Sequence, residues 1–108
     1  MRLIEKYKNW RARKRFDNEI ADLDEEICEV LRANTYYGEQ FSNAAAWGNY
    51  VAGIIFNIMG DSAKKVIEKR NNLLETRTLM EKRYHQRFGI KIEPHRASHL
   101  QKTNKFFY

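Results

Sequence analysis

A dense cluster of positive charge near the N-terminus is the feature of this sequence that most clearly indicates chemistry. Six cations and one indole lie within the stretch from Lys6 to Arg15. The residues expected to contact an anion are Lys6, Lys8, Trp10, Arg11, Arg13, Lys14 and Arg15. Positive charge is unfavourable near a helix N-terminus, where the helix dipole is itself positive, so the cluster indicates a counter-charge outside the chain. Nucleic acid fits, because neutralised phosphates release counterions and Trp10 or Tyr7 could stack on an unpaired base.

Two other partners fit the same cluster. Leu3 and Ile4 join Tyr7 and Trp10 in an apolar face beneath the cations, as in helices that lie on acidic membrane surfaces. An acidic block follows in the sequence and could pair with the cluster of another copy or of a neighbouring subunit. Its members are Asp17, Glu19, Asp22, Asp24, Glu25, Glu26 and Glu29. We therefore predict a protein partner, nucleic acid or both, allow a homo-oligomer, and place contact with a membrane surface third.

No pattern in the sequence is typical of an enzyme. The chain lacks a glycine-rich phosphate loop and the paired-histidine motif of zinc proteases. Neighbouring carboxylates such as Glu25 and Glu26 point in different directions around a helix, so they do not form an acid–base pair. His95 and His99 could share a helix face, but no clear third metal ligand accompanies them. We predict a protein without catalytic residues, cofactor or bound metal.

The composition favours helices and an anionic partner. The chain has one proline, five glycines and 31% charged residues, a balance typical of helical proteins rather than turn-rich β-proteins. A net charge of +6 again favours an anionic partner. Cys28 is the single cysteine, which excludes an internal disulfide, and its place on an apolar stripe predicts a small buried thiol. We infer a reducing compartment and, since no secretory signal opens the sequence, expect a cytoplasmic protein.

The spacing of apolar residues predicts three helices, because they recur at intervals of three and four. The predicted helices cover residues 3–33, 43–59 and 62–88. The residues predicted to interrupt or end them are Asn34, Gly38, Gly60 and Gly89. Within the first helix the repeat slips in phase between Trp10 and Phe16, which allows a bend there.

These elements predict an all-α fold, an elongated three-helix arrangement in which two long amphipathic helices surround a shorter uncharged one. We expect a helical domain over residues 1–93, followed by an extended, basic and aromatic C-terminal tail over residues 94–108. The apolar stripes of the long helices could also meet a second copy in a coiled-coil-like dimer.

The middle helix belongs to a stretch from Gln40 to Gly60 that contains no charged residue. A stretch of this length could span a membrane, but its asparagines make burial between the long helices the preferred interpretation. Small residues four apart would let helices approach closely there. They are Ala44, Gly48 and Ala52.

Arg70 and Arg77 fall on the apolar face of the third helix, where an unpaired charge is costly. One interpretation pairs them with Glu19, Asp22 or Glu26 of the first helix. The other leaves this face open, with both guanidinium groups available to an acidic ligand. We therefore predict that the two arginines contribute to helix packing or to a partner interface.

Together these features predict a small, basic, non-enzymatic helical binding protein. It would dock onto nucleic acid or onto a nucleic-acid-handling protein machine as an inhibitor or adaptor, a type common among phage-encoded proteins. The alternative is a structural accessory subunit of a larger complex, membrane-associated in one version.

Overall fold

The computed structural model describes residues 2–104 and consists of two long helices packed side by side. Helix α1 spans Arg2–Ala46 and helix α2 spans Asn49–Phe88. A single 3-10 turn follows at Ser98–Leu100, and no β-strand forms between residues 2 and 104. The predicted all-α class is confirmed, whereas the predicted three-helix arrangement is wrong.

The loop predicted at Asn34 and Gly38 does not form, because both residues are buried within α1. Asn34 Oδ1 accepts a hydrogen bond of 2.7 Å from the Arg70 guanidinium of α2. A polar side chain can occupy a buried apolar stripe when a hydrogen bond across the interface offsets its loss of hydration. The break in the apolar repeat therefore marks a polar contact between helices, and the helix predicted for residues 3–33 continues to Ala46.

The chain reverses at Gly48, inside the stretch predicted to be the middle helix, residues 43–59. Gly48 has φ 110° and ψ 167°, a combination that is almost exclusive to glycine. Gly60 was predicted to end that helix, but it lies within α2. The glycines with positive φ among residues 2–104 are Gly48 and Gly89. Gly89 ends α2 as predicted, with φ 68° and its N–H bonded back to the last turn.

Replacement of Gly48 by alanine is expected to lower the free energy of unfolding by about 1–3 kcal/mol, because a Cβ disfavours this backbone conformation. Gly53→Ala is the matched control. A Cβ at either glycine would meet no atom within 4 Å, so steric crowding does not distinguish them. Gly53 is helical, and its replacement should raise stability by up to about 1 kcal/mol. Urea unfolding of both variants checks this, and a Gly48→Ala variant as stable as Gly53→Ala would contradict it.

The best-buried cluster lies midway along the hairpin. Leu23 and Ile27 of α1 meet Leu74 of α2, and Ala97 and Leu100 from the chain after α2 complete the cluster. Removing apolar side chains from water is the main favourable term in folding. Two helices alone would leave one side of this cluster exposed to solvent. The chain after α2 covers that side and so completes the core.

The C-terminal segment, residues 90–104, therefore differs from the extended tail predicted for residues 94–108. Ala97 and Leu100 are each only 1% exposed. The aromatic end predicted for that tail, Phe106 to Tyr108, lies outside the described residues.

The uncharged stretch from Gln40 to Gly60 forms the turn end of the hairpin instead of a helix of its own. It is divided between the end of α1 and the beginning of α2. Trp47 and Tyr50 at the turn are 81% and 82% exposed, so the predicted burial does not hold there. Neither of the two helices has the combination of length and apolar character needed to cross a bilayer, within the part of the chain that the structure describes.

The hairpin is a rod of 71 × 18 × 16 Å. A 45-residue helix such as α1 is about 68 Å long, so α1 alone runs almost the whole length. Cys28, predicted to be buried, is exposed, because it follows the buried Ile27 by one residue and points about 100° away around the helix.

Candidate anion-binding surface at the free end of the hairpin

The predicted cationic cluster lies on the part of α1 that reaches beyond the end of α2. The Phe16 ring packs edge-on against Tyr84 and Phe88, at centroid distances of 5.9 and 5.8 Å, and α2 ends at Phe88. Every residue from Arg2 to Arg11 is exposed. We call residues 2–15 the N-terminal extension.

All six predicted cations of the extension are exposed, and two of them have a specific contact. Arg13 Nε donates a hydrogen bond of 2.7 Å to the Tyr84 hydroxyl, which fixes the base of the extension to α2. Lys14 Nζ lies 4.8 Å from the centroid of the Trp10 ring. Tyr7 stacks on Trp10 at 6.1 Å, so the predicted base-stacking residue already has two neighbours.

The cations of the extension have no carboxylate partner within residues 2–104. The ion pairs found in that part of the chain belong to Arg77. Lys8, Arg11 and Arg15 are spaced by three and four residues, which aligns them along one side of a helix. They line a shallow surface groove together with Ala12. We call these three residues the cationic row.

Charge is strongly segregated along α1. The extension holds seven cations and one carboxylate, Glu5, whereas residues 17–29 hold seven carboxylates and no cation. Opposite charges that are consecutive in sequence lie at different heights along a rigid helix, so most of them cannot reach each other. The positive charge of the extension therefore faces solvent.

Arg70 and Arg77 do not lie on an open face, because both are buried between α1, α2 and the C-terminal segment. Arg77 Nε donates to Asp24 Oδ1 at 2.6 Å, Arg77 Nη1 pairs with Glu81, and the same nitrogen donates to the Glu93 carbonyl at 3.3 Å. Burial lowers the pKa of Arg77, but the bonds to Asp24 and Glu81 outweigh it and raise the pKa above its ordinary value. The ion-pair partners are thus Asp24 and Glu81, not the predicted Glu19, Asp22 or Glu26.

Arg70 holds the C-terminal segment with neutral acceptors. Its guanidinium is 0% exposed and donates to Asn34 Oδ1, to the Thr103 carbonyl at 2.7 Å and to the Leu100 carbonyl at 3.3 Å. Burial lowers the pKa of Arg70, although an arginine stays protonated at ordinary pH. Both arginines therefore position the C-terminal segment.

The other three residues predicted to pack between helices lie in different parts of the structure. Ala44 is buried in α1, Ala52 is half-buried in α2, and Gly48 lies in the turn between them. The small-residue series thus does not form one helix face.

The two tail histidines make local contacts. His95 Nδ1 accepts a hydrogen bond of 3.0 Å from the Ala97 N–H, and burial lowers the pKa of His95 against an opposing, smaller effect of the Asp24 charge. His99 Nδ1 lies 3.1 Å from the Arg96 carbonyl oxygen. Across the described residues, no group of three or more histidine, cysteine, aspartate or glutamate side chains is placed to hold a metal ion.

The fold is an antiparallel helical hairpin braced by its own C-terminal segment. Comparison of the chain with protein-family models, with curated protein sequences and with solved structures finds no significant match.

The exposed aromatic residues at the turn were missed in the sequence, because they were assigned to a buried helix. Trp47 and Tyr50 are joined there by Phe56 and Ile58, which are also exposed. The available signal was the pair Gly48 and Asn49, because glycine and asparagine are both favoured in turns.

Proposed function

We propose that this protein is a non-enzymatic binding protein whose N-terminal extension binds the phosphate backbone of nucleic acid. The observation that supports this most is the cationic row of Lys8, Arg11 and Arg15. It is exposed, aligned along one side of a helix, and unpaired with carboxylates of residues 2–104. Lys6, Arg13 and Lys14 add to the positive potential around the row.

The physical basis is counterion release. Each phosphate neutralised by a lysine or arginine frees a condensed counterion, so affinity falls as salt concentration rises. Three contacts from the row predict a slope of log K against log salt of about −2 to −3. Such contacts carry no sequence information, so binding would be largely independent of base sequence.

The decisive variant is Lys8→Glu combined with Arg15→Glu, which reverses two charges of the row. The matched control is Lys64→Glu combined with Lys65→Glu, which makes the same change in net charge at two exposed lysines on α2. Fluorescence anisotropy with a labelled single strand and a labelled duplex would be measured from about 50 to 200 mM salt.

We expect the row variant to lose at least about tenfold in affinity and to flatten the salt dependence, because two phosphate contacts become repulsive. The control should lose much less, since it changes only the long-range field. A parent protein with no salt dependence, or equal losses in both variants, would overturn the proposal. Circular dichroism of each variant shows whether the helices are intact.

A second candidate function is an accessory subunit of a larger protein complex, and the turn end of the hairpin favours it. Trp47 and Tyr50 are large, almost fully exposed and free of neighbouring charge in sequence, and aromatic residues of this kind are enriched at the centre of protein interfaces. A cellular partner that is retained after nuclease treatment and lost on Trp47→Ser would support this candidate over the first.

A further inference from the structure

The apolar residues of the N-terminal extension lie on the side of α1 that faces away from α2. Leu3, Tyr7 and Trp10 are 81%, 58% and 55% exposed. Tyr7 precedes the inward-facing Phe16 by nine residues, which at about 100° per residue places it on the opposite side of the helix. α1 is one continuous helix. The phase slip between Trp10 and Phe16 therefore shows that the apolar residues before it and those after it lie on different faces of α1, and not that the helix bends.

This outward face continues beyond the extension with the same spacing. It passes through Lys14, Asp17 and Ala21 at intervals of three and four residues and reaches Cys28 seven residues later. The intervening Asp24 is bonded to Arg77 of α2 and is not part of this face, whereas Lys14, Asp17, Ala21 and Cys28 are all exposed. Intervals of three and four sustained over several turns are the pattern of a helix that packs along a second helix. We call the set Leu3, Tyr7, Trp10, Lys14, Asp17, Ala21 and Cys28 the outer face of α1.

We propose that the outer face of α1 binds the same face of a second copy of this chain, with the two α1 helices antiparallel. In this register Leu3 lies against Cys28 of the second copy, Trp10 against Ala21, and Lys14 against Asp17. Each pair occurs twice, because the contact is two-fold symmetric and closes at a dimer.

Charge complementarity favours a second copy of this chain as the partner and favours the antiparallel orientation of the two α1 helices. The extension carries seven cations and residues 17–29 carry seven carboxylates. An antiparallel second copy sets the positive segment of each chain against the negative segment of the other, whereas a parallel one would align like charges. The large side chains of Leu3 and Trp10 also meet small residues, Cys28 and Ala21, which is the size alternation that lets facing helices interdigitate.

The dimer leaves the cationic row accessible, so this inference goes beyond the proposed function without depending on it. Lys8 and Arg15 follow Tyr7 and Lys14 by one residue, about 100° around the helix from the outer face. Variants of Lys8 and Arg15 therefore remove phosphate contacts, and variants of the outer face remove dimer contacts. Sedimentation of the Lys8 and Arg15 variant shows whether its loss of nucleic-acid binding is independent of dimerisation.

A disulfide tests the register directly. Leu3→Cys should crosslink to Cys28 of the second copy under mild oxidation and give a covalent dimer on a non-reducing gel. A crosslink within one chain is excluded, because residues 3 and 28 are about 37 Å apart along one helix. Glu5→Cys is the control, since residue 5 lies about 200° from residue 3 around the helix. Equal crosslinking of the two variants, or none with Leu3→Cys, would overturn the proposed register.

A charge swap tests the pairing without a crosslink. Lys14→Glu should weaken dimerisation about tenfold in sedimentation equilibrium, because two attractive pairs become repulsive by symmetry. Adding Asp17→Lys to the same chain restores opposite charges across the contact and should recover most of the affinity. Lys64→Glu is the control for net charge. A parent protein that sediments as a monomer throughout the micromolar range, or a double variant that dimerises no better than Lys14→Glu, would refute the dimer.

Discussion

Replacement of Arg70 by methionine is expected to lower the free energy of unfolding by about 2–4 kcal/mol. Losses of this size are typical of substitutions that break a buried hydrogen-bond network. The guanidinium bonds to Asn34, Thr103 and Leu100 from a fully buried position. Methionine fills a similar volume but removes the guanidinium donor from the Asn34 amide oxygen and from both carbonyls. The Thr103 carbonyl keeps a bond from Asn71 Nδ2, and the Leu100 carbonyl keeps one from the Thr103 hydroxyl. Hydrogen bonds from a charged donor contribute about 1.5–3 kcal/mol, and the bond that joins α2 to Asn34 of α1 is lost with the guanidinium.

Lys69→Met is the matched control for Arg70→Met, because it changes the neighbouring, exposed cation to the same residue. Surface substitutions of this kind usually alter stability by no more than about 0.5 kcal/mol. The two variants would be compared by urea unfolding monitored by circular dichroism. Equal stabilities would mean that the arginine bonds are offset by the cost of burying the charge.

Leu100→Ala is expected to lower the free energy of unfolding by about 2–5 kcal/mol, as for other fully buried leucines. Leu100 is 1% exposed and packs with Leu23, Leu74 and Ala97. The truncation removes apolar contacts from a cluster that the two helices do not close alone. It also weakens the position of the Leu100 carbonyl that accepts from Arg70.

Leu79→Ala makes the same chemical change on α2 at a leucine that is 48% exposed, and we expect a loss of no more than about 0.5 kcal/mol. Thermal unfolding of both variants provides the comparison. If Leu100→Ala lowered the free energy of unfolding no more than Leu79→Ala, the C-terminal segment would contribute little to the stability of the hairpin.

The helical class and the ends of the apolar repeats were predictable from local signals. The repeat from Phe16 to Leu31 lies in α1, and Gly89 ends α2, because a glycine with positive φ is the commonest way to finish a helix. The number of helices was not predictable in the same way. Gly38 and Gly60 were predicted to break helices in the same way as Gly89, but both lie inside continuous helices.

Long-range contacts explain the remaining differences. Asn34 looked like a loop residue because its partner, Arg70, is distant in sequence and contributes a donor only after the hairpin forms. The C-terminal segment looked extended because its few apolar residues show no periodicity. Their burial depends on a cluster built by α1 and α2.

The cations of the proposed surface could be listed from the sequence, but their arrangement around the helix could not. Local composition located the cations, and all six are exposed on α1 as expected for a binding surface. Which of them share a side depends on helix continuity through the phase slip at Trp10 and Phe16. Because the helix is continuous there, the cationic row and the outer face lie on different sides of α1.

The unbroken course of α1 keeps the two ends of the molecule far apart. The extension and the aromatic turn lie at opposite ends of a rod 71 Å long, and a flexible peptide of equal length would let its ends meet and part at random. Here the continuous helix holds the two ends apart.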